Sequence, residues 1–259
     1  MGKVWSINNN FGENKKIKEN YIFILSFILP MVIMFVVFTS LGVGFIGDKT
    51  IVSSDMYTQY VAYFGKFKDI LSGDGSIFYS FNKSIGGNNI GLFAYYLASP
   101  LNLLLILFPK SAIGEFIFII YLIKIGLASL CFSLYISKVY KKKDLFVVIF
   151  SLCYALMSYN ICFQMNIMWM DGMMLLPLVA LGIEEIILKG KYKLYMIVLF
   201  MVVVSNYYIG YMICIFSVVY FFYKSIIYKK ISLPRTFKFF GASFITGGLA
   251  SFLLIPVLI

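Results

Sequence analysis

The chain has 259 residues, of which 61% are hydrophobic and 13% charged, and its formal net charge is +11. Soluble domains hold about 45–50% apolar and about 25% charged residues, so this composition excludes an ordinary soluble fold and places the chain among membrane proteins. The lysines fall in clusters between apolar runs rather than on one basic face, which argues against nucleic-acid binding, and the lack of histidine removes imidazole relays and His-ligated zinc.

Residues 1–20 form a basic head with Lys3, Lys15, Lys16 and Lys18, which the positive-inside rule assigns to the cytoplasm. Residues 21–259 form the multispan module. Its first apolar run, 21–46, is longer than a secretory h-region and has no small-residue cleavage signal, so it reads as an uncleaved span. A large outer loop, 47–111, comes next. The run 112–136 returns to a cytoplasmic cluster, Lys138, Lys141, Lys142 and Lys143. Residues 145–164 cross outward, 165–171 turn, and 172–188 come back to Lys189, Lys191 and Lys193. The stretch 192–223 lies between two basic clusters, so an even number of crossings is expected, with the break at Ser205-Asn206-Tyr207-Tyr208. Each half is shorter than the roughly 20 residues of a full crossing, which predicts a tilted or shallow hairpin. A seventh span, 237–259, runs outward. The apolar run 92–108 is interrupted at Ser99-Pro100 and is expected as a helix at the outer interface, with a re-entrant loop as the alternative. The chain ends on an apolar span, which points to a piece of a longer protein. Cys131, Cys153, Cys162 and Cys214 all lie in apolar stretches without C-x-x-C spacing and read as buried small hydrophobes.

Within the outer loop, residues 47–91 are a hydrophilic island holding Asp48, Asp55, Asp69 and Asp74, four of the chain's 11 acids. Met56, Tyr60, Phe64, Phe67 and Leu71 recur at helical steps, which predicts an amphipathic helix over 55–71 resting on the outer leaflet. Ser53 or Ser54 is the expected N-cap, and Gly73-Asp74-Gly75 the stop. Asp55 falls in the first turn, where the helix dipole favours a carboxylate. It is either a cap or a base able to take a proton from a hydroxyl. Gly86-Gly87-Asn88-Asn89 is a polar turn able to offer amides to a phosphate or sugar. Lys66, Lys68, Lys83 and Lys110 supply cations, as phosphate partners or as snorkelling lysines. Asp171, at the outer mouth of the fourth span, either faces the same cavity as Asp55 or sits at the interface. Lys124, midway along the second span, is either functional or paired with Glu184 or Glu185. Tyr207 and Tyr208 either stack on a sugar ring or mark the interface.

Four pieces together resemble the YfhO family of bacterial membrane proteins: Ser54-Asp55-Met56-Tyr57-Thr58-Gln59-Tyr60; the run from Gly86-Gly87-Asn88 through Tyr95-Tyr96-Leu97-Ala98-Ser99-Pro100-Leu101-Asn102 to Phe108-Pro109; Trp169-Met170-Asp171 with Leu176-Pro177-Leu178; and Asn206-Tyr207-Tyr208-Ile209-Gly210-Tyr211. The resemblance covers nearly everything after about residue 21. It implies an all-α polytopic membrane protein with a GT-C-like helical bundle of about seven spans and amphipathic interfacial helices in the first outer loop. It further implies a glycosyltransferase that moves a sugar from a polyprenyl-phosphate carrier to a teichoic-acid-like, polyol-phosphate polymer of the cell envelope. Asp55 then becomes the expected general base, with Gln59, Lys66, Lys83, Gly87, Asn88, Asp171 and Tyr207 as expected substrate contacts. No metal site is assigned, and carboxylate-bound Mg²⁺ stays an open alternative. The alternatives are a transporter or flippase of lipid-linked sugar, and a non-catalytic envelope assembly factor. Family members continue with further spans and an outer soluble region, so this chain corresponds to the N-terminal module.

Overall fold

The computed structural model describes residues 5–81 and 85–258, with side chains for 20–81 and 85–257. Helix α1, Trp5–Ser40, carries an apolar stretch, Asn20–Ser40, long enough to cross a membrane. The crossing ends at Ser40 rather than at Ile46, because Gly42 and Gly44 adopt φ of 72° and 105°. Those left-handed values, which glycine takes without steric cost, let residue 43 bridge to residue 49 and turn the chain.

A π-helical turn, Met56–Tyr60, runs into α2, Val61–Ser72, which stops at Gly73 with φ 91°. The expected stripe is buried at Met56, Tyr60, Phe64 and Phe67. It packs on protein rather than on lipid, with the Phe64 ring 5.3 Å from that of Phe116. A short antiparallel hairpin pairs β1, Tyr79–Ser80, with β2, Gly87–Asn88. Helix α3, Ile90–Leu92, continues as a π-turn over Phe93–Leu97. A 3₁₀ segment, Pro100–Leu107, leaves at 89° to it. The bend follows from Pro100, which pushes the preceding residue out of the helical region; Ser99 has φ −58° and ψ 127°. With Ala94, Leu97, Ser99, Asn102 and Leu105 all buried, this bent pair is a wedge among the helices, a broken span or a re-entrant loop by its geometry.

Helix α4, Ile113–Tyr140, crosses to the lysine cluster. The expected span 145–164 is divided into α5, Leu145–Ala155, and α6, Ser158–Cys162. Buried Asn160 ends α5 by donating from Nδ2 to the carbonyls of Tyr154 and Ala155, at 3.3 and 2.9 Å. Helix α7 is Met170–Lys189, α8 Lys193–Ser205, α9 Tyr207–Ile227 and α10 Leu233–Leu258. The break between α8 and α9 falls where the polar residues predict it. Asn206 caps α9 with its side chain, accepting from the Ile209 amide at 2.8 Å. Only α8 is short, however, at 13 residues; α9, with 21, reaches a full crossing.

Four helical stretches among the described residues are long and apolar enough to cross: Asn20–Ser40, Lys110–Tyr140, Tyr207–Ile227 and Leu233–Val257, with the bent pair as a fifth if counted as one span. The molecule is an all-α polytopic membrane protein. Among the described residues two large apolar cores, and a small third one joining Ile22 of α1 to Val147 and Val148 of α5, hold it together. Of the large cores, one gathers α1, α2, the wedge and the first half of α4, and the other gathers α4, α7, α8, α9 and α10. Glycine permits the closest helix approaches: a Cβ on Gly126 would lie 2.8 Å from the Phe27 carbonyl of α1, and one on Gly182 2.6 Å from the Tyr195 backbone of α8. Along the succession of helices, residues 41–81 and 85–111 fall at one end, here the loop end, and the lysines of 138–143, 189–193 and 224–230 at the other, the basic end.

Candidate functional site

Asp55 stands at the loop end, at the entrance to the π-turn. Ser54 before it has φ 51°, a region that costs a non-glycine residue of order 1–3 kcal/mol. Its carbonyl accepts from the amides of Tyr57 and Thr58, at 3.0 and 3.2 Å. The backbone therefore starts the helix without help from a side chain. Asp55 makes no capping bond and is exposed. Of the two readings of this residue, the cap is absent from the geometry.

Beneath it lies an aromatic shelf. Tyr60 packs on Tyr96 at 5.2 Å between ring centroids, Tyr63 on Tyr96 at 4.8 Å, and Tyr96 on Tyr95 at 4.6 Å. The shelf continues from Tyr95 to Tyr207 and Tyr208, at 5.8 and 6.1 Å, and from Tyr208 to Trp169 at 6.5 Å. Hydrogen bonds tie the rings down: Tyr60 Oη donates to Asn166 Oδ1 at 3.1 Å, Trp169 Nε1 to Tyr95 Oη at 3.1 Å, and Asn206 Nδ2 to the Tyr95 carbonyl at 2.8 Å. Burial raises the Tyr60 phenol well above its ordinary range, and the neighbouring Tyr96 and the Asp55 carboxylate add to that rise. Asp55 is thus within electrostatic reach of the shelf, and Tyr60 stays a neutral donor. At the Tyr207 and Tyr208 corner an apolar groove of about 410 Å³ opens between α8, α9 and α10, lined further by Leu199, Val203, Tyr211 and Leu254.

Asp171 does not reach this surface. It is 1% exposed, in the first turn of α7, and both carboxylate oxygens are taken. Lys124 Nζ donates to Oδ2 at 2.6 Å and Ser99 Oγ to Oδ1 at 2.7 Å. Lys124 also donates to the Ile167 carbonyl at 2.8 Å. The partner of Lys124 is therefore Asp171, not Glu184 or Glu185. Glu184 is buried at the basic end instead, held by Lys224 at 2.8 Å, Tyr220 at 3.1 Å and Tyr228 at 2.6 Å.

Of the other residues expected at the site, Tyr207 is part of the shelf. Gln59 lies one turn beyond Asp55, and half-buried Lys66 lies on α2; neither enters the shelf's hydrogen bonds or ring contacts. Gly87 and Asn88 belong to the hairpin, where Asn88 Oδ1 accepts from the Ile90 amide at 2.8 Å. Lys83 lies outside the described residues. Two other loop cations are engaged elsewhere: Lys68 donates to the Leu105 and Ile106 carbonyls, and Lys110 pairs with Asp69. Among the described residues no three acidic or cysteine side chains converge as a metal site would require. Sequence reasoning passed over Tyr63, Tyr95, Tyr96 and Asn166 as site residues. Their signal was present in the density of tyrosine at 57, 60, 63, 95, 96, 207 and 208, too many for membrane-interface anchoring alone.

Comparison with curated proteins gives no match, and comparison with solved structures gives none either. A family model described as bacterial membrane protein YfhO matches residues 26–259. That span takes in the Asp55 turn, the wedge, the aromatic shelf and every helix from α4 to α10, and the chain belongs to the YfhO family of bacterial membrane proteins.

Proposed function

We propose that the protein is a GT-C-like glycosyltransferase that transfers a sugar from a polyprenyl-phosphate carrier to a polyol-phosphate polymer on the outer face of the cell membrane. The observation that carries this reading is Asp55: an exposed carboxylate at a helix entrance, free of any capping bond, beside a floor of fixed tyrosine rings. In the reaction, an Asp55 oxygen takes the proton of an acceptor hydroxyl, and the hydroxyl oxygen bonds to the anomeric carbon. The carbon–oxygen bond to the carrier breaks, and the lipid phosphate leaves with the electron pair. Aromatic faces suit the C–H surface of a sugar ring, and Tyr207 and Tyr208 stand where the shelf meets the apolar groove, a fitting place for an isoprenoid tail. A leaving phosphate needs positive charge or amide donors, for which Lys66, Lys83 or the Gly86-Gly87 turn are the candidates in this loop.

The test is Asp55→Asn, read by mass spectrometry of the envelope polymers. Loss of a positioned base lowers rate by about 10²–10⁴-fold, so the sugar increment should vanish while protein level holds. Unchanged glycan in the Asn variant would overturn the proposal. A transporter reading draws on the buried Lys124–Asp171 pair, since ionisable groups inside a membrane mark pathways. The double variant Lys124→Met/Asp171→Leu separates the two: a transporter loses its function, whereas the transferase retains sugar incorporation.

A further inference from the structure

Asp55 stands between two unusual pieces of backbone. Ser54 takes a left-handed conformation, with φ 51°. The turn that follows is π-helical, and the Val61 amide donates to the Met56 carbonyl five residues back. A left-handed residue other than glycine is costly and persists only where its surroundings over-determine it, and π-turns are rare and gather at functional sites. Relaxing such a turn to an ordinary α-helix shifts its register by one residue, a rotation of about 100°. The aim of the Asp55 carboxylate therefore depends on what holds the two ends of this turn.

The far end is held at Tyr60, which is 4% exposed. Its ring rests on Tyr96, and its Oη donates to Asn166 Oδ1 at 3.1 Å. Among the described residues this is the one hydrogen bond or ion pair that joins the stretch 55–72 to any residue after Lys110; Lys68 and Asp69 reach only the wedge and Lys110. Asn166 is a firm post. Its amide donates to the Phe163 carbonyl and its carbonyl accepts from the Trp169 amide, both at 2.9 Å. Ile167 and Met168, next in the chain, are each 3% exposed. Trp169 belongs to the other half of the shelf, bonded to Tyr95 and packed against Tyr208. The Tyr60–Asn166 bond thus ties the element that bears the carboxylate to the element that bears the rings beside the apolar groove.

We propose that Asn166 is a positioning residue for Asp55. The proposal rests on the transferase reading: through Tyr60, Asn166 sets the reach from the carboxylate to a sugar whose carrier lies in the groove beside Tyr208. Asn166 itself exchanges no proton and touches no reacting atom. It keeps the base at its working distance from the far half of the shelf.

The experiment compares Asn166→Leu, Asn166→Asp and the double variant Tyr60→Phe/Asn166→Leu, with Asp55→Asn alongside. Sugar incorporation is read by mass spectrometry of the envelope polymers, and thermal unfolding is followed in detergent. Asn166→Leu leaves a buried phenol without a partner, so its unfolding temperature and its incorporation should both fall. The double variant has no phenol to satisfy, so its unfolding temperature should return towards the parent's. Its incorporation should nevertheless stay down by about 10²-fold, the cost of a misplacement of about 1 Å. Asn166→Asp keeps an oxygen for Tyr60 and should recover most of the incorporation that Asn166→Leu loses. Parent-level incorporation in the double variant, or an Asp variant as inactive as the Leu variant, would overturn the proposal. With Asp55→Asn inactive, either result leaves the base assignment standing; incorporation by Asp55→Asn removes the transferase reading itself.

Discussion

Lys124 and Asp171 are each 1% exposed and lie 2.6 Å apart. Removing one partner of such a pair leaves a charge in a medium that cannot solvate it, at a cost of about 3–5 kcal/mol, whereas replacing both with apolar groups of similar size is often neutral. Lys124→Met and Asp171→Leu should each lower the unfolding temperature in detergent markedly, while the double variant returns close to the parent; thermal unfolding of the three checks this. Asp55→Asn should leave that temperature unchanged, because no hydrogen bond of Asp55 caps its helix. This contrast separates a pair that the fold depends on from a residue that it does not. It also explains what sequence could show at this scale. The exposure of Asp55 follows from its place in a hydrophilic island. The partner of Lys124 depends on how deep α7 begins, and no local pattern records that depth.

At the scale of elements, small residues decide which helices touch. A side chain on Gly182 would meet the Tyr195 backbone at 2.6 Å, so Gly182→Leu should push α8 off α7. Disulfide cross-linking between cysteines placed in the two helices, with cysteine-free protein as background, should drop severalfold in that variant. Chemical signals written as polar, proline or glycine residues were legible: the Asn206 break, the Pro100 bend and the Gly73 stop. The division of 145–164 was not, because the apolar run continues past Ala155 and the cap comes from Asn160, five residues on in the chain. The aromatic shelf was legible only as composition. Its geometry needs the wedge to bring Tyr95 beside Tyr207 and Tyr208, residues more than a hundred positions away in the chain.

For the whole molecule, the arrangement of charge sets an orientation that can be measured. The basic end holds Lys138, Lys141, Lys142, Lys189, Lys191, Lys224 and Lys230, and positive loops remain on the cytoplasmic side. With the four native cysteines replaced by alanine, a cysteine at position 55 should react with a membrane-impermeant maleimide added to intact cells. One at position 142 should react only after the membrane is opened. The reverse pattern would place Asp55 away from any envelope polymer and remove the basis for the transferase reading.

The link between Lys124 and Asp171 spans 47 positions of the chain, and it has a bearing on how the protein is made. As α4 emerges from the ribosome its lysine has no counter-ion, since Asp171 has yet to be translated. A lone lysine at the centre of a helix costs about 2.5–3.5 kcal/mol on insertion, which the apolar remainder of α4 must offset until α7 arrives. The nascent segments from α4 to α7 therefore have reason to leave the insertion machinery as a group. The wedge can lock only afterwards, once the newly delivered carboxylate is there for Ser99 to grip.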